Sequence, residues 1–195
     1  MIINYNDNLS ISIPDDVHSE WLTECGNNCV FIKDSYLSKL PNKYETKKGY
    51  NTIWEYETVN YFINLMKNIE NPVIVDVGAQ MGLYTLTAKF LPESSWHSFE
   101  PFNNSFKLLN KNIEHNKLTN VKTYNIGLSN SQGESFLYVP KKDQGRGGLN
   151  TMGTKEGRVN QNLCDKVKIK IDTLDNILRN TKVDMIKIHV EGWEL

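Results

Sequence analysis

The stretch Val73-Ile74-Val75-Asp76-Val77-Gly78-Ala79-Gln80-Met81-Gly82 decides the fold. Its first five residues are β-branched apart from one acid. Such a near-continuous apolar run suits a strand buried on both faces of a parallel sheet. Gly78 lets backbone approach a ligand without a Cβ clash. Gly82 lets the next helix pack closely on the strand, and the start of that helix offers free N–H groups. Dinucleotide sites usually read G-x-G-x-x-G at this turn. Here the spacing is D-x-G-x-x-x-G, with an acid before the first glycine. Asp76 is expected at the carboxyl end of the strand, facing the ligand crevice. A carboxylate there repels a pyrophosphate and attracts an ammonium, which favours a ligand with a cationic end. An ordinary tight strand-to-helix connection is the alternative reading of the turn alone.

Working outward, the same rhythm recurs on both sides. A helix is expected from Ile53 to Ile69, with Thr52 and Glu55 as a capping box and Val59, Phe62, Ile63 and Met66 on one face. After the quoted strand come a helix from Gly82 to Phe90, a strand from Trp96 to Phe99, a helix from Ser105 to His115 and a strand from Val121 to Leu128. Strand and helix in alternation predict a parallel α/β sheet with right-handed crossovers and helices on both faces. Ser135 to Val139 and Val167 to Ile171 read as an antiparallel pair around a polar loop, Pro140 to Lys166, expected to be a lid or binding loop. A short helix, Leu174 to Arg179, and a parallel strand, Val183 to Val190, follow. Residues 1–13 read as a hairpin, and a short helix is expected from Asp15 to Thr23. The organisation is therefore a hairpin and helical extension over residues 1–50 and an α/β domain over residues 51–195. A strand running into a Gly-containing turn near Leu195 should feed a further helix. The sequence is expected to be truncated there, with its last strands missing.

The second strand ends in Ser98-Phe99-Glu100-Pro101-Phe102. An acid there, about twenty residues past the first turn, is placed to hold both ribose hydroxyls of a nucleoside. Phe102 would then cover one face of the base. A solvated Glu and a core Phe are the alternatives when either residue is taken singly.

Five stretches together resemble the FkbM family of S-adenosylmethionine-dependent methyltransferases. They are VIVDVGAQMGLYTLTA, SFEPFNNSFKLLNKNIEHN, YNIGLSNSQGESFLYV, IDTLDNIL and VDMIKIHVEGWEL. The resemblance runs from about Trp54 to Leu195 and implies the Rossmann-like class I fold with S-adenosylmethionine as cosubstrate. It implies Asp76, Gly78, Ala79 and Gly82 as the cosubstrate loop, with Asp76 near the methionine ammonium. Glu100 goes to the ribose, with Pro101 and Phe102 beside it, and Ile126 and Gly127 lie by the adenine. It also implies methyl transfer to a hydroxyl oxygen, often on a sugar or related natural product. One position departs from the pattern: His189 stands where the family usually carries Asp, in K-I-x-V-E-G.

Transfer to a hydroxyl needs alignment, which can supply ~7–11 kcal/mol, and a base, which adds ~10²–10⁴-fold. His189 is the first candidate base, because histidine as a residue type titrates near ~6.5. Glu191 is the second, as base or substrate ligand, and Glu194 is weaker. Packing and helix capping are the respective alternatives. Glu55 or Glu57, at the start of the helix before the quoted strand, is a candidate to close over the methionine end, with a solvated first-turn acid as the favoured alternative, and Arg146 in the glycine-dotted loop is a candidate substrate contact. His18, His97 and His115 lack metal-ligand spacing, so no metal is expected from them, while carboxylates such as Asp76 stay open as ligands.

Composition bounds the remaining classes. The 195 residues carry 22 Lys plus Arg and 23 Asp plus Glu, a net charge of -1. A pI near 6.4 argues against nucleic acid as a partner, since such domains usually lie above ~9. No stretch approaches the ~20 apolar residues of a membrane helix. The N-terminus lacks the features of a signal peptide, and Cys25, Cys29 and Cys164 cannot all pair, so a cytoplasmic protein with reduced thiols is expected. The rival functions are a nucleotide-dependent oxidoreductase, which would need the absent G-x-G-x-x-G, and a non-catalytic remnant acting through interactions.

Overall fold

The structure is a computed structural model that describes residues 2–6, 9–12, 56–140 and 164–190. Two strands, β1 (Ile2–Asn6) and β2 (Leu9–Ser12), form the expected antiparallel hairpin. The predicted helix Asp15–Thr23, the Thr52/Glu55 cap, Arg146 and its loop, Glu191 and Glu194 lie outside the described residues.

The centre of the molecule is β3 (Val73–Val77). It pairs in parallel with β4 (Ser95–Phe99) on one side and β9 (Met185–Ile188) on the other. Beyond β4 lies β5 (Val121–Tyr124), so the sheet order is β5-β4-β3-β9. Ile74, Val75, Trp96 and Phe99 have no exposed surface, as expected of strands covered on both faces. One face carries Ile74 and Trp96 against Val59, Phe62, Ile63 and Met66 of α1 (Tyr56–Met66). The Phe62 ring meets Tyr84 at 5.6 Å, nearly perpendicular, and Trp96 at 5.7 Å. The opposite face carries Val75, Val77 and Phe99 against Leu178, with Leu174 and Ile177 of the short helix α3 (Leu174–Ile177). The helix α2 (Asn103–His115) links β4 to β5. Truncating an anchor such as Trp96 to Ala would remove roughly 3–5 kcal/mol.

Two expectations are corrected. The helix predicted from Gly82 is a turn followed by a 3₁₀ helix, Thr85–Phe90. Gly82 has φ +102°, outside helical space. Thr87 donates both its N–H and its hydroxyl to Tyr84 O, at 2.9 and 2.6 Å, which tightens the turn to i−3 spacing. The strand predicted over Val121–Leu128 is broken at Asn125. The Asn125 side-chain amide donates to the carbonyls of Glu100 (2.8 Å) and Pro101 (3.2 Å), and the ladder ends there. The chain resumes as β6 (Gly127–Leu128), in a second sheet whose order is β6, then β8 (Cys164–Asp172), then β7 (Gly133–Pro140). In that sheet β7 and β8 form the expected antiparallel pair.

Candidate functional site

The carboxyl ends of β3, β4 and β9 converge on the turn that follows β3. Gly78 has φ +72°, and a Cβ there would sit 2.1 Å from the His189 carbonyl oxygen. The close approach that requires glycine is therefore made by the chain's own neighbouring strand, and not by a ligand as the sequence suggested. His189 N–H donates to Val77 O at 3.0 Å, extending the β3–β9 ladder to this point. His189 is exposed just past the strand end.

The turn's N–H groups are also not free, contrary to expectation. Gly78 and Ala79 both donate to Phe99 O at 3.0 Å, and Gly82 donates to Ala79 O at 2.8 Å. Gln80 N–H donates to Glu100 Oε2 at 2.8 Å. A pyrophosphate cradle works by leaving such donors for the ligand. Here four of them are consumed internally, which agrees with the missing G-x-G-x-x-G.

Asp76 is fully buried and is the fourth of the five β3 residues, so it does not open onto the crevice as the sequence suggested. It lies on the face that carries Ile74, and β9 pairs Lys187 directly opposite it. Lys187 Nζ sits 3.0 Å from Asp76 Oδ1, 3.4 Å from Gly78 O and 4.9 Å from the centre of the Tyr84 ring. The contact with Oδ1 is ionic and not a directed hydrogen bond. Oδ2 accepts the Thr85 hydroxyl at 2.7 Å, and the Thr85 and Ser98 hydroxyls lie 2.7 Å apart. Thr85, Ser98 and Lys187 were not singled out from the sequence. The alternation of side chains along paired strands would have found Lys187 and Ser98, given the strand order.

Glu100 follows β4 directly and is 3% exposed. Its Oε2 accepts Gln80 N–H and its Oε1 accepts Phe102 N–H, each at 2.8 Å. The carboxyl thus ties the β3 turn to the start of α2. Burial pushes it up to about 7, against the two backbone N–H groups that favour the ionised form; Asp76 raises it further and Lys187 lowers it. Since Glu100 is raised in the folded state, its share of stability is complete below the ordinary Glu value and is lost as pH rises through about 7. That share is roughly 3 kcal/mol. Urea midpoints from pH 5 to 8 should fall for the wild type. They should be flat and lower at acid pH for Glu100→Gln, whose amide cannot accept both N–H groups. Parallel slopes for the two proteins would remove Glu100 as the source.

The residues that the family resemblance places by the adenine lie around the carboxyl end of β4. A Cβ on Gly127 would stand 3.6 Å from Pro101 Cβ. Phe102 is half-buried and caps α2. Ile126 packs against the core cluster of Val75, Val77 and Phe99. Among the described residues no group of three His, Cys, Asp or Glu could hold a metal, and no helix is long and apolar enough to cross a membrane.

A parallel sheet with helices on both faces, a glycine turn after its central strand and a buried acid after the next define the Rossmann-like class I methyltransferase fold. The model of the methyltransferase FkbM domain matches residues 76–195, and the chain belongs to that family. It is similar to the methyltransferase sdnD of Sordaria araneosa, 28% identical over 151 residues, which are 64% of this chain and 58% of that protein. The chain thus spans a little over half the length of this curated relative. Among solved structures, it is similar to TYW2 of Pyrococcus horikoshii in complex with MeSAdo: 24% identity, 33% of this chain, 25% of that one, TM-score 0.30. Another is coclaurine N-methyltransferase bound to N-methylheliamine and SAH: 11% identity, 62% of this chain, 44% of that one, TM-score 0.36.

Proposed function

We propose that the protein is an S-adenosylmethionine-dependent methyltransferase acting on a hydroxyl of a sugar or related small molecule or glycan. The observation that carries the cosubstrate reading is Glu100. Ionised, it offers about four acceptor positions, and backbone N–H groups use two. The two that remain match two ribose hydroxyls. The internally satisfied turn favours a nucleoside without phosphates. The residues therefore fit S-adenosylmethionine, which when bound supplies a methyl group on a sulfonium.

In this reading Gly78, Ala79 and Gly82 shape the loop, and Glu100 holds the ribose. Pro101, Phe102, Ile126 and Gly127 border the adenine. His189, at the exposed end of β9, takes the proton from the acceptor hydroxyl, with Glu191 as the second candidate. Family membership and the named relative support methyl transfer. The choice of oxygen and of a sugar rests on the family resemblance and on a base at the strand end.

Calorimetry with S-adenosylhomocysteine tests the cosubstrate. A neutral Glu100 has one acceptor position fewer, so affinity should rise about 10-fold from pH 6 to pH 8 as the ionised fraction grows. NAD should give no heat. Binding of NAD in preference to S-adenosylhomocysteine would replace this reading with the oxidoreductase one. An acceptor screen with labelled methyl donor decides the second half, and label on nitrogen would exclude O-methylation.

A further inference from the structure

We propose that Lys187 is a positioning residue of the cosubstrate site: its ammonium, set between Asp76 and the Gly78 carbonyl, cancels the Asp76 charge and pins β9 to the turn, leaving Glu100 to set the charge of the site. The inference rests on the cosubstrate reading of the turn but concerns the chain's own residues.

Three contacts fasten the end of β9 to the turn. Lys187 Nζ reaches Asp76 Oδ1 at 3.0 Å and Gly78 O at 3.4 Å, and the His189 carbonyl packs against Gly78 so closely that no Cβ fits between them. The Lys187 side chain is 16% exposed and lies over the Tyr84 ring. Asp76 Oδ1 thus already faces a cation supplied by the chain itself. Asp76 is therefore not waiting for the ammonium of a cosubstrate. It anchors the 3₁₀ helix through Thr85 and β9 through Lys187.

The charged groups that bear on Glu100 are Asp76 from β3 and Lys187 from β9, while Gln80 and Phe102 contribute backbone N–H groups. Removing one member of the ion pair exposes Glu100 to the other. Lys187→Met leaves Asp76 uncompensated and should move the Glu100 midpoint upward by about one pH unit. Asp76→Asn leaves the cation uncompensated and should move it downward by a similar amount. The double variant should return close to wild type, and Lys187→Arg should behave as wild type. Opposite signs with mutual cancellation are an electrostatic signature that loss of packing does not produce.

The test is a carbon NMR titration of the Glu100 carboxyl in the ligand-free full chain, together with S-adenosylhomocysteine affinity against pH. The titration reads the charge coupling whether or not the nucleoside binds. Absence of binding by the wild type overturns the cosubstrate reading, and with it the claim that Lys187 positions that site. Binding that follows the Glu100 midpoint in each variant supports both. Should Lys187→Met fail to fold, Asp76→Asn and the double variant still give the downward shift and its cancellation. A Glu100 midpoint that stays in place in Asp76→Asn overturns the inference.

Discussion

Replacing His189 with Asn is expected to slow methyl transfer ~10²–10⁴-fold, the usual contribution of a general base, with S-adenosylhomocysteine affinity nearly intact. The geometry explains the separation. The His189 backbone belongs to the β3–β9 ladder and touches Gly78, and any residue supplies that backbone. Its side chain is exposed beyond the strand end, where an acceptor can reach it. The measurement is kcat at saturating S-adenosylmethionine, which separates the chemical step from cosubstrate binding. His189→Asp, which restores the residue the family usually carries, should keep part of the rate. Unchanged turnover in His189→Asn would return His189 to a packing role and make Glu191 the next base to test.

Gly78→Ala should be the most damaging single methyl in the site. The new Cβ would meet the His189 carbonyl oxygen at 2.1 Å, and φ +72° is disfavoured for alanine. Strain and overpacking together cost roughly 3–5 kcal/mol. For a chain of this size that is a loss on the order of 10 °C in Tm. Gly82→Ala is the internal comparison. Its Cβ would meet the tip of the Leu109 side chain at 2.8 Å. A side-chain tip can move where a backbone carbonyl cannot, so the cost should stay nearer the ~1–3 kcal/mol of a strained φ. Thermal melts of both variants check the order. A Gly78→Ala protein melting above Gly82→Ala would show that β9 yields more easily than the ladder suggests.

Much of this site was legible in the sequence because its strongest signals are local. The β-branched run of Val73–Val77, the glycines after it and Glu100 at the next strand end depend on neighbours in the chain. The apolar spacing of α2 does as well. What escaped depends on register between distant segments. Lys187 became part of the site only because β9 pairs with β3 so that Lys187 faces Asp76. Ser98 faces Asp76 for the same reason from β4. The 3₁₀ helix was missed because its threonines bond to Asp76 and Tyr84, which helical periodicity does not register. The break at Asn125 rests on one side-chain amide serving two carbonyls. The role assigned to Asp76 was the most misleading reading. Its chemistry was anticipated, but the cation it meets belongs to the chain.

The pairing of β3 with β9 also has a consequence for biosynthesis. Lys187 and Gly78 are 109 residues apart in the chain, yet the central strand is completed only when they meet. A ribosome adding about 5–20 residues per second needs roughly 5–20 s to make the intervening stretch. Through that interval β3 has β4 and then β5 to one side, while the hydrogen-bonding groups of its other edge wait for β9. An exposed apolar edge of this kind is a template for pairing with other chains. The nascent protein is therefore most vulnerable to misassembly after β3, β4 and β5 exist and before the strand that carries Lys187 arrives.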